Sequence, residues 1–95
     1  MRVVVSHLTL KRPLPRATVD LAEDACRRLV DAGGLAASFV KVDDTHMILI
    51  LTFPDLDTEE RIKSEIGGPW MRDHLVPLLE EPPERSSGTV VAGSI

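Results

Sequence analysis

Trp70 and His74 stand four residues apart in the stretch Gly67-Gly68-Pro69-Trp70-Met71-Arg72-Asp73-His74. On a helix that spacing is one turn, so the two side chains line one strip of surface. An indole offers a flat face for a planar ligand, and an imidazole exchanges a proton near neutral pH. The pair is therefore the candidate catalytic site, with Trp70 positioning a ring and His74 as the general base. The competing reading makes Trp70 a core anchor and His74 a partly exposed helix residue. Both stand at this point.

Ser6 interrupts the apolar face formed by Val4, Leu8 and Leu10, and a buried hydroxyl needs a partner, whether a neighbouring group or a ligand. Ser6, Ser38 and Met71 are the candidate substrate contacts. Arg72 and Asp73 point elsewhere on the helix, as a solvated face. Three histidines on three elements include no close-spaced pair, so no metal site is expected. His7 is read toward a partner sheet, and His46 as exposed beside the Asp43-Asp44 turn. The single cysteine, Cys26, falls on the apolar stripe of a helix, where a small inert hydrophobe is the default, and it excludes an internal disulfide. It also fits a reducing compartment. Neither a nucleotide nor a flavin motif occurs, and no cofactor is called for. Tyrosine, asparagine and glutamine are absent from the chain, which removes several common acids and donors.

The element that must position these residues is His46-Met47-Ile48-Leu49-Ile50-Leu51-Thr52-Phe53. Its apolar residues do not alternate: Met47, Leu49, Leu51 and Phe53 point one way, Ile48 and Ile50 the other, so both faces of this strand need cover. Helices of the same chain can supply one cover; a partner chain is the simplest source of the other. Before it, Val3 to Leu10 reads as a strand stopped by Pro13 and Pro15, and a helix runs from about Pro15 or Arg16 to Ala32 with the stripe Val19, Ala22, Cys26, Leu29 and Val30. Its acids sit early and its arginines late, in keeping with the macrodipole. Gly33-Gly34 ends it.

Leu35 to Val42 then pairs with the central strand as a hairpin. A two-residue Asp43-Asp44 loop puts Phe39 with Ile48 and Ile50, and Ser38 with Met47, Leu49 and Leu51; a longer loop shifts that pairing. After Pro54, Asp57 caps a short helix, Gly67-Gly68-Pro69 breaks it, and a further helical segment runs from Trp70 to about Leu79 with Pro77 inside it. Residues 80–88 read as a loop and Thr89 to Ile95 as a last strand. The order predicts a single α+β domain over residues 1–95, a ferredoxin-like βαββαβ arrangement with a four-stranded antiparallel sheet and helices on one face.

The chain has 95 residues and a net charge of −4 with both signs interspersed, which gives no basic face for nucleic acid and no polybasic cluster for anionic lipid. No apolar run approaches the roughly 20 residues that span a bilayer, and Met1-Arg2-Val3-Val4-Val5 enters a strand pattern directly, so a cytoplasmic protein is expected.

The opening Val-Val-Val-Ser-His-Leu-Thr-Leu, the central hairpin and the segment from Gly67 to Leu79 resemble the dimeric α/β-barrel superfamily, in particular small antibiotic-biosynthesis-monooxygenase-like proteins. The resemblance implies a homodimer in which two ferredoxin-like sheets pack as a barrel. It also implies a choice of activities: cofactor-independent oxygenases acting on polycyclic phenols, haem-degrading enzymes, polyketide cyclases and isomerases. The haem-degrading branch places an asparagine on the first strand, where Ser6 stands here, and sets its tryptophan and histidine farther apart than Trp70 and His74. The expectation is a small-molecule enzyme of secondary metabolism, an oxygenase or cyclase acting on an aromatic or polyketide-like substrate. The alternatives are a non-enzymatic ligand-binding or dimerisation module and a proton-transfer isomerase.

Overall fold

The computed structural model describes residues 1–93. Its elements run β1 (Arg2–Thr9), α1 (Arg16–Asp31), β2 (Ala36–Asp43), β3 (His46–Phe53), α2 (Leu56–Ile62), a π turn (Lys63–Gly67), one α turn (Gly68–Trp70), a second π turn (Met71–Leu75), a 3-10 turn (Val76–Leu78) and β4 (Glu84–Thr89). The four strands form one antiparallel sheet in the order β2-β3-β1-β4, the ferredoxin-like arrangement. No helix among the described residues is long and apolar enough to cross a membrane.

β3 lies between β1 and β2, and its unalternating sequence is resolved by register. Val4 pairs with Leu51, Ser6 with Leu49 and Leu8 with Met47, and these side chains meet the helices. With Leu10, Phe53, Ala22, Ala25, Leu29, Ile62, Trp70, Met71, Leu75 and Leu79 they make the core. The opposite face carries Val3, Val5, Ile48, Ile50 and Val40, with His7 opposite Ile48.

Four local expectations are corrected. The buried stripe of α1 is Ala22, Ala25 and Leu29, with Cys26 half-buried and Val19 and Val30 exposed at 38 % and 43 %. Alanines bring this helix close to the sheet, and that approach rotates the larger residues toward the edges. The first turn of α1 holds no acid, and of the arginines only Arg28 reaches the last turn. The cap of α2 is Asp55, whose side chain accepts the Thr58 N–H at 2.7 Å, two residues earlier than the Asp57 read from sequence. The last strand is Glu84–Thr89 rather than Thr89 to Ile95; Ser94 and Ile95 lie outside the described residues. Every residue of this edge strand is exposed, and pairing with β1 overrides its loop-like composition.

The second helical run also differs from its reading. Gly67 and Gly68 both hold right-handed helical angles (φ −64° and −60°), so the chain is not broken there. Instead two wide turns accommodate the prolines. In each, the residue before the proline donates its N–H five residues back: Gly68 to the Lys63 carbonyl and Val76 to the Met71 carbonyl. A proline in a helix interior clashes with the carbonyl four residues behind it, and a π turn splays that carbonyl aside. The glycine in the left-handed region is Gly33 at φ 120°, which ends α1 as expected. There Arg61 of α2 donates to the Ala32 carbonyl at 2.6 Å, locking the two helices together.

Candidate functional site

α1 turns Ala22, Ala25 and Leu29 toward the sheet. Toward its N-terminus it stands clear of the β2–β3 hairpin, leaving an open cleft of about 620 Å³. That lies within the roughly 300–1,000 Å³ of small-molecule sites. Leu14, Val19, Ala22, Phe39 and Met47 supply apolar walls, and Arg16, Glu23, Lys41, Asp43 and Asp44 a charged rim. Four of these five rim charges are engaged with neighbours: Arg16 Nε lies 3.4 Å from Asp20. Lys41 Nζ lies 3.0 Å from Asp44. Asp43 accepts the Thr45 N–H at 2.9 Å and faces His46 Nδ1 at 2.8 and 2.9 Å, and these hydrogen bonds, the Thr45 N–H first, hold its carboxyl below the usual carboxylate range. Burial and then the nearby Glu23 push the Cys26 thiol upward, so Cys26 is a wall residue and a poor nucleophile.

Cys26, Ala37 and Phe39 also border a narrower crevice of about 40 Å³ that continues inward to Leu49, Gly67, Trp70, Met71 and Arg85. Trp70 is 8 % exposed and tilts against two rings, Phe39 at 5.8 Å and 52° and His74 at 5.5 Å and 45°. The expected turn-to-turn proximity of Trp70 and His74 is therefore present. Their surroundings differ: Trp70 closes the crevice, whereas His74 is exposed and lines neither cavity.

The other sequence candidates separate. Met71 is buried in the crevice wall beside Trp70. Ser6 is 1 % exposed on the helix-covered face, and its Oγ has no hydrogen-bond partner. Ser38 pairs with Ile50, which corrects its expected place beside Leu49: it sits exposed on the outer side at the lip of the cleft, and Phe39 takes the inward position opposite Leu49. The cause is an irregularity between Lys41 and Asp43, which shifts the register by one residue and so exchanges the two faces of β2. Among the described residues no group of three His, Cys, Asp or Glu side chains is arranged to hold a metal ion. Phe39 and Arg85 are wall residues that sequence reasoning missed. Phe39 is hidden by the bulge, and Arg85 by a strand, Glu-Arg-Ser-Ser-Gly-Thr, without an apolar residue to set a period of two.

No protein-family model matches the sequence, and no curated protein matches it. Solved structures do. SnoaB, a cofactor-independent oxygenase from Streptomyces nogalater, solved in a mutant form, superposes with a TM-score of 0.79 at 15 % identity over 97 % of this chain and 94 % of its own. The fold is that of the antibiotic-biosynthesis-monooxygenase-like proteins. A monooxygenase from the gene ActVA-Orf6 of Streptomyces coelicolor, in complex with nanaomycin D, gives 0.74 at 19 % identity over 99 % and 90 % of the two chains. A dimeric ferredoxin-like protein from an uncultured marine organism gives 0.68 at 14 % over 99 % and 97 %.

Proposed function

We propose that the chain is a small cytoplasmic enzyme of secondary metabolism that holds a planar aromatic or polyketide-like molecule between α1 and the β2–β3 hairpin and oxygenates or cyclises it without a cofactor. The observation that carries this reading is the open apolar cleft, together with the crevice behind it that Trp70 closes. Trp70 and Phe39 supply aromatic surface for the ring system, and Met71 and the crevice walls exclude water from it. His74, against the Trp70 ring, takes a phenolic or enolic proton, and the electron-rich ring carbon so formed adds to molecular oxygen, the peroxide then losing water to leave a carbonyl, or adds to a carbonyl of the same molecule with loss of water. Two of the structural neighbours carry an oxygenase or monooxygenase in their descriptions, which supports the same class.

The reading includes a homodimer. Val3, Val5, Val40, Ile48 and Ile50 form an apolar face without a covering layer, with Val40 41 % and Ile50 37 % exposed. Packing two such faces together completes an α/β barrel, and one neighbour is described as a dimeric ferredoxin-like protein.

The test is oxygen uptake with 1,8-dihydroxyanthrone as a tricyclic phenolic probe, beside its binding by calorimetry. Uptake above the uncatalysed rate is expected. His74→Ala should lower turnover by roughly 100-fold while leaving affinity within a few fold, because the proton moves only in the transition state. A second reading, a ligand-binding module without chemistry, is favoured by the exposure of His74 and its place outside both cavities. Binding without uptake, or turnover indifferent to His74→Ala, selects that reading over the catalytic pair.

A further inference from the structure

Ser6 and Arg85 are direct partners across β1 and β4, so both side chains leave the sheet on its helix-covered face. Ser6 also faces Leu49 across β1 and β3, and Leu49 and Arg85 are both walls of the crevice that Trp70 closes. Ser6 is not itself a wall of the crevice but stands in the sheet between two residues that are, 1 % exposed and with no hydrogen-bond partner for its Oγ. A buried hydroxyl in that state is uncommon, and a ligand oxygen beside it removes the defect.

Arg85 adds the charge. The ion pairs of the described residues engage Arg2, Arg16, Arg27, Lys41, Arg61 and Arg72 and do not include Arg85. Arg85 also borders a second small crevice with Val4, Glu59 and Lys63, and the carboxylate there is already held by Arg2 at 2.9 Å. A guanidinium fork in the crevice wall that also holds Trp70, with a hydroxyl on the neighbouring strand paired to it, matches an oxygen anion carried by a planar molecule. The crevice, about 40 Å³, has room for that oxygen end, while the wider cleft, which shares Cys26, Ala37 and Phe39 with it, has room for the rings.

We propose that Ser6 and Arg85 form an anion-recognition pair that binds an ionised oxygen, carboxylate or enolate, of the ring molecule held against Trp70. The proposal rests on the planar-ligand reading above and adds a charge requirement to it. It makes Arg85 a specificity residue: neutral ring compounds bind without its help, and anionic ones need it.

The experiment is calorimetric titration of the whole chain with 2-naphthoate and with 2-naphthalenemethanol, which share a ring system and differ in charge. Naphthoate is expected to bind about 10-fold more tightly, a difference of about 1.4 kcal/mol, with a preference that weakens as salt rises. Arg85→Met should abolish the preference and leave the neutral probe within about twofold, and Ser6→Ala should reduce it in part. Arg85→Lys, which keeps the charge and loses the fork, should fall between. Thermal melts of each variant report whether the fold is intact, and Arg85, exposed on an edge strand, is a position where it should be. Equal affinities in the unmodified chain, or an Arg85→Met variant that weakens both probes alike, overturn the pair and leave the planar-ligand site standing. Binding of neither probe overturns both.

Discussion

Leu49 and Ile50 are neighbours on β3 with side chains of equal size, yet Leu49 is 4 % exposed and Ile50 37 %. The pleat separates them: one points into the helical layer, the other away from it. Val4, 3 % exposed, and the half-buried Val5 repeat the contrast on β1. The sheet thus has two apolar faces, and the helices of one chain cover one of them. On the covered face the strand residues are packed with Leu29, Ile62, Trp70 and Leu75. On the other, residues of the same chemistry meet only their cross-strand neighbours, with no helix of their own chain over them. A strand apolar on both sides therefore specifies two packing surfaces, one internal and one external, and the internal one also holds the cleft and the Trp70 crevice at its margins.

The largest effect expected from this contrast comes from placing the same charge on each face. Leu49→Lys buries an ammonium among Phe39, Trp70 and Met71 with no carboxylate to meet it, at a cost of several kcal/mol, enough to remove a cooperative thermal transition. Ile50→Lys leaves the ammonium in reach of water and should retain the fold while converting the proposed dimer into a monomer on sizing. The contrast fails if Ile50→Lys unfolds the chain as well, or if the unmodified chain runs as a monomer at micromolar concentration.

A somewhat smaller effect tests the charged groups at the end of the covered face. Glu59, on α2, is 3 % exposed, and its Oε1 accepts from Arg2 Nε at 2.9 Å; Arg2 Nη1 in turn donates to Thr89 Oγ1 at 2.9 Å. One guanidinium so ties β1 to α2 and β4. Arg2→Met leaves a buried carboxylate alone and should cost about 3–5 kcal/mol in denaturant unfolding, whereas the double variant Arg2→Met/Glu59→Leu should recover most of that loss. A single variant as stable as the unmodified chain would place Glu59 in contact with water and blur the distinction between the two faces.

The covered face is the more legible one. β3 is readable to its observed limits because its eight residues leave no other element to form, and the pattern of Val4, Ser6, Leu8 and Leu10 assigns them to the buried side, as found. β4 escapes because an edge strand paired on one side needs no apolar residue, and its neighbour β1 supplies the constraint instead. The site is legible in proportion to how local its determinants are. The proximity of Trp70 and His74 follows from helical spacing; Phe39, Ser38 and Arg85 depend on a bulge and on a long-range strand pairing, which no window of sequence contains. Glu59 has the look of a helix-start acid, and only the arrival of Arg2 from 57 positions away makes it a buried one.

The smallest effect concerns how the covering layer gets past its prolines, where two adjacent glycines with similar backbone angles should respond in opposite directions. A Cβ built on Gly68 would stand 2.9 Å from the Lys63 carbonyl oxygen, the acceptor of the wide turn itself, whereas one built on Gly67 meets nothing closer than the Ile62 carbonyl oxygen at 3.9 Å. Both residues are helical, so alanine gains the usual advantage of about 0.5–1 kcal/mol over glycine at Gly67. At Gly68 the same gain is opposed by a close contact with backbone, which cannot swing away as a side chain would, and the net effect should be a loss of about 1 kcal/mol or more. Gly67→Ala also adds a methyl at the margin of the crevice shared with Trp70 and Arg85, so its gain in stability should come with weaker binding of any ring compound that reaches that far. Thermal melts of the two variants decide the matter: stabilisation by both means the turn relaxes to an ordinary helix around Pro69, and destabilisation by both means Gly67 is held for a reason its own angles do not reveal.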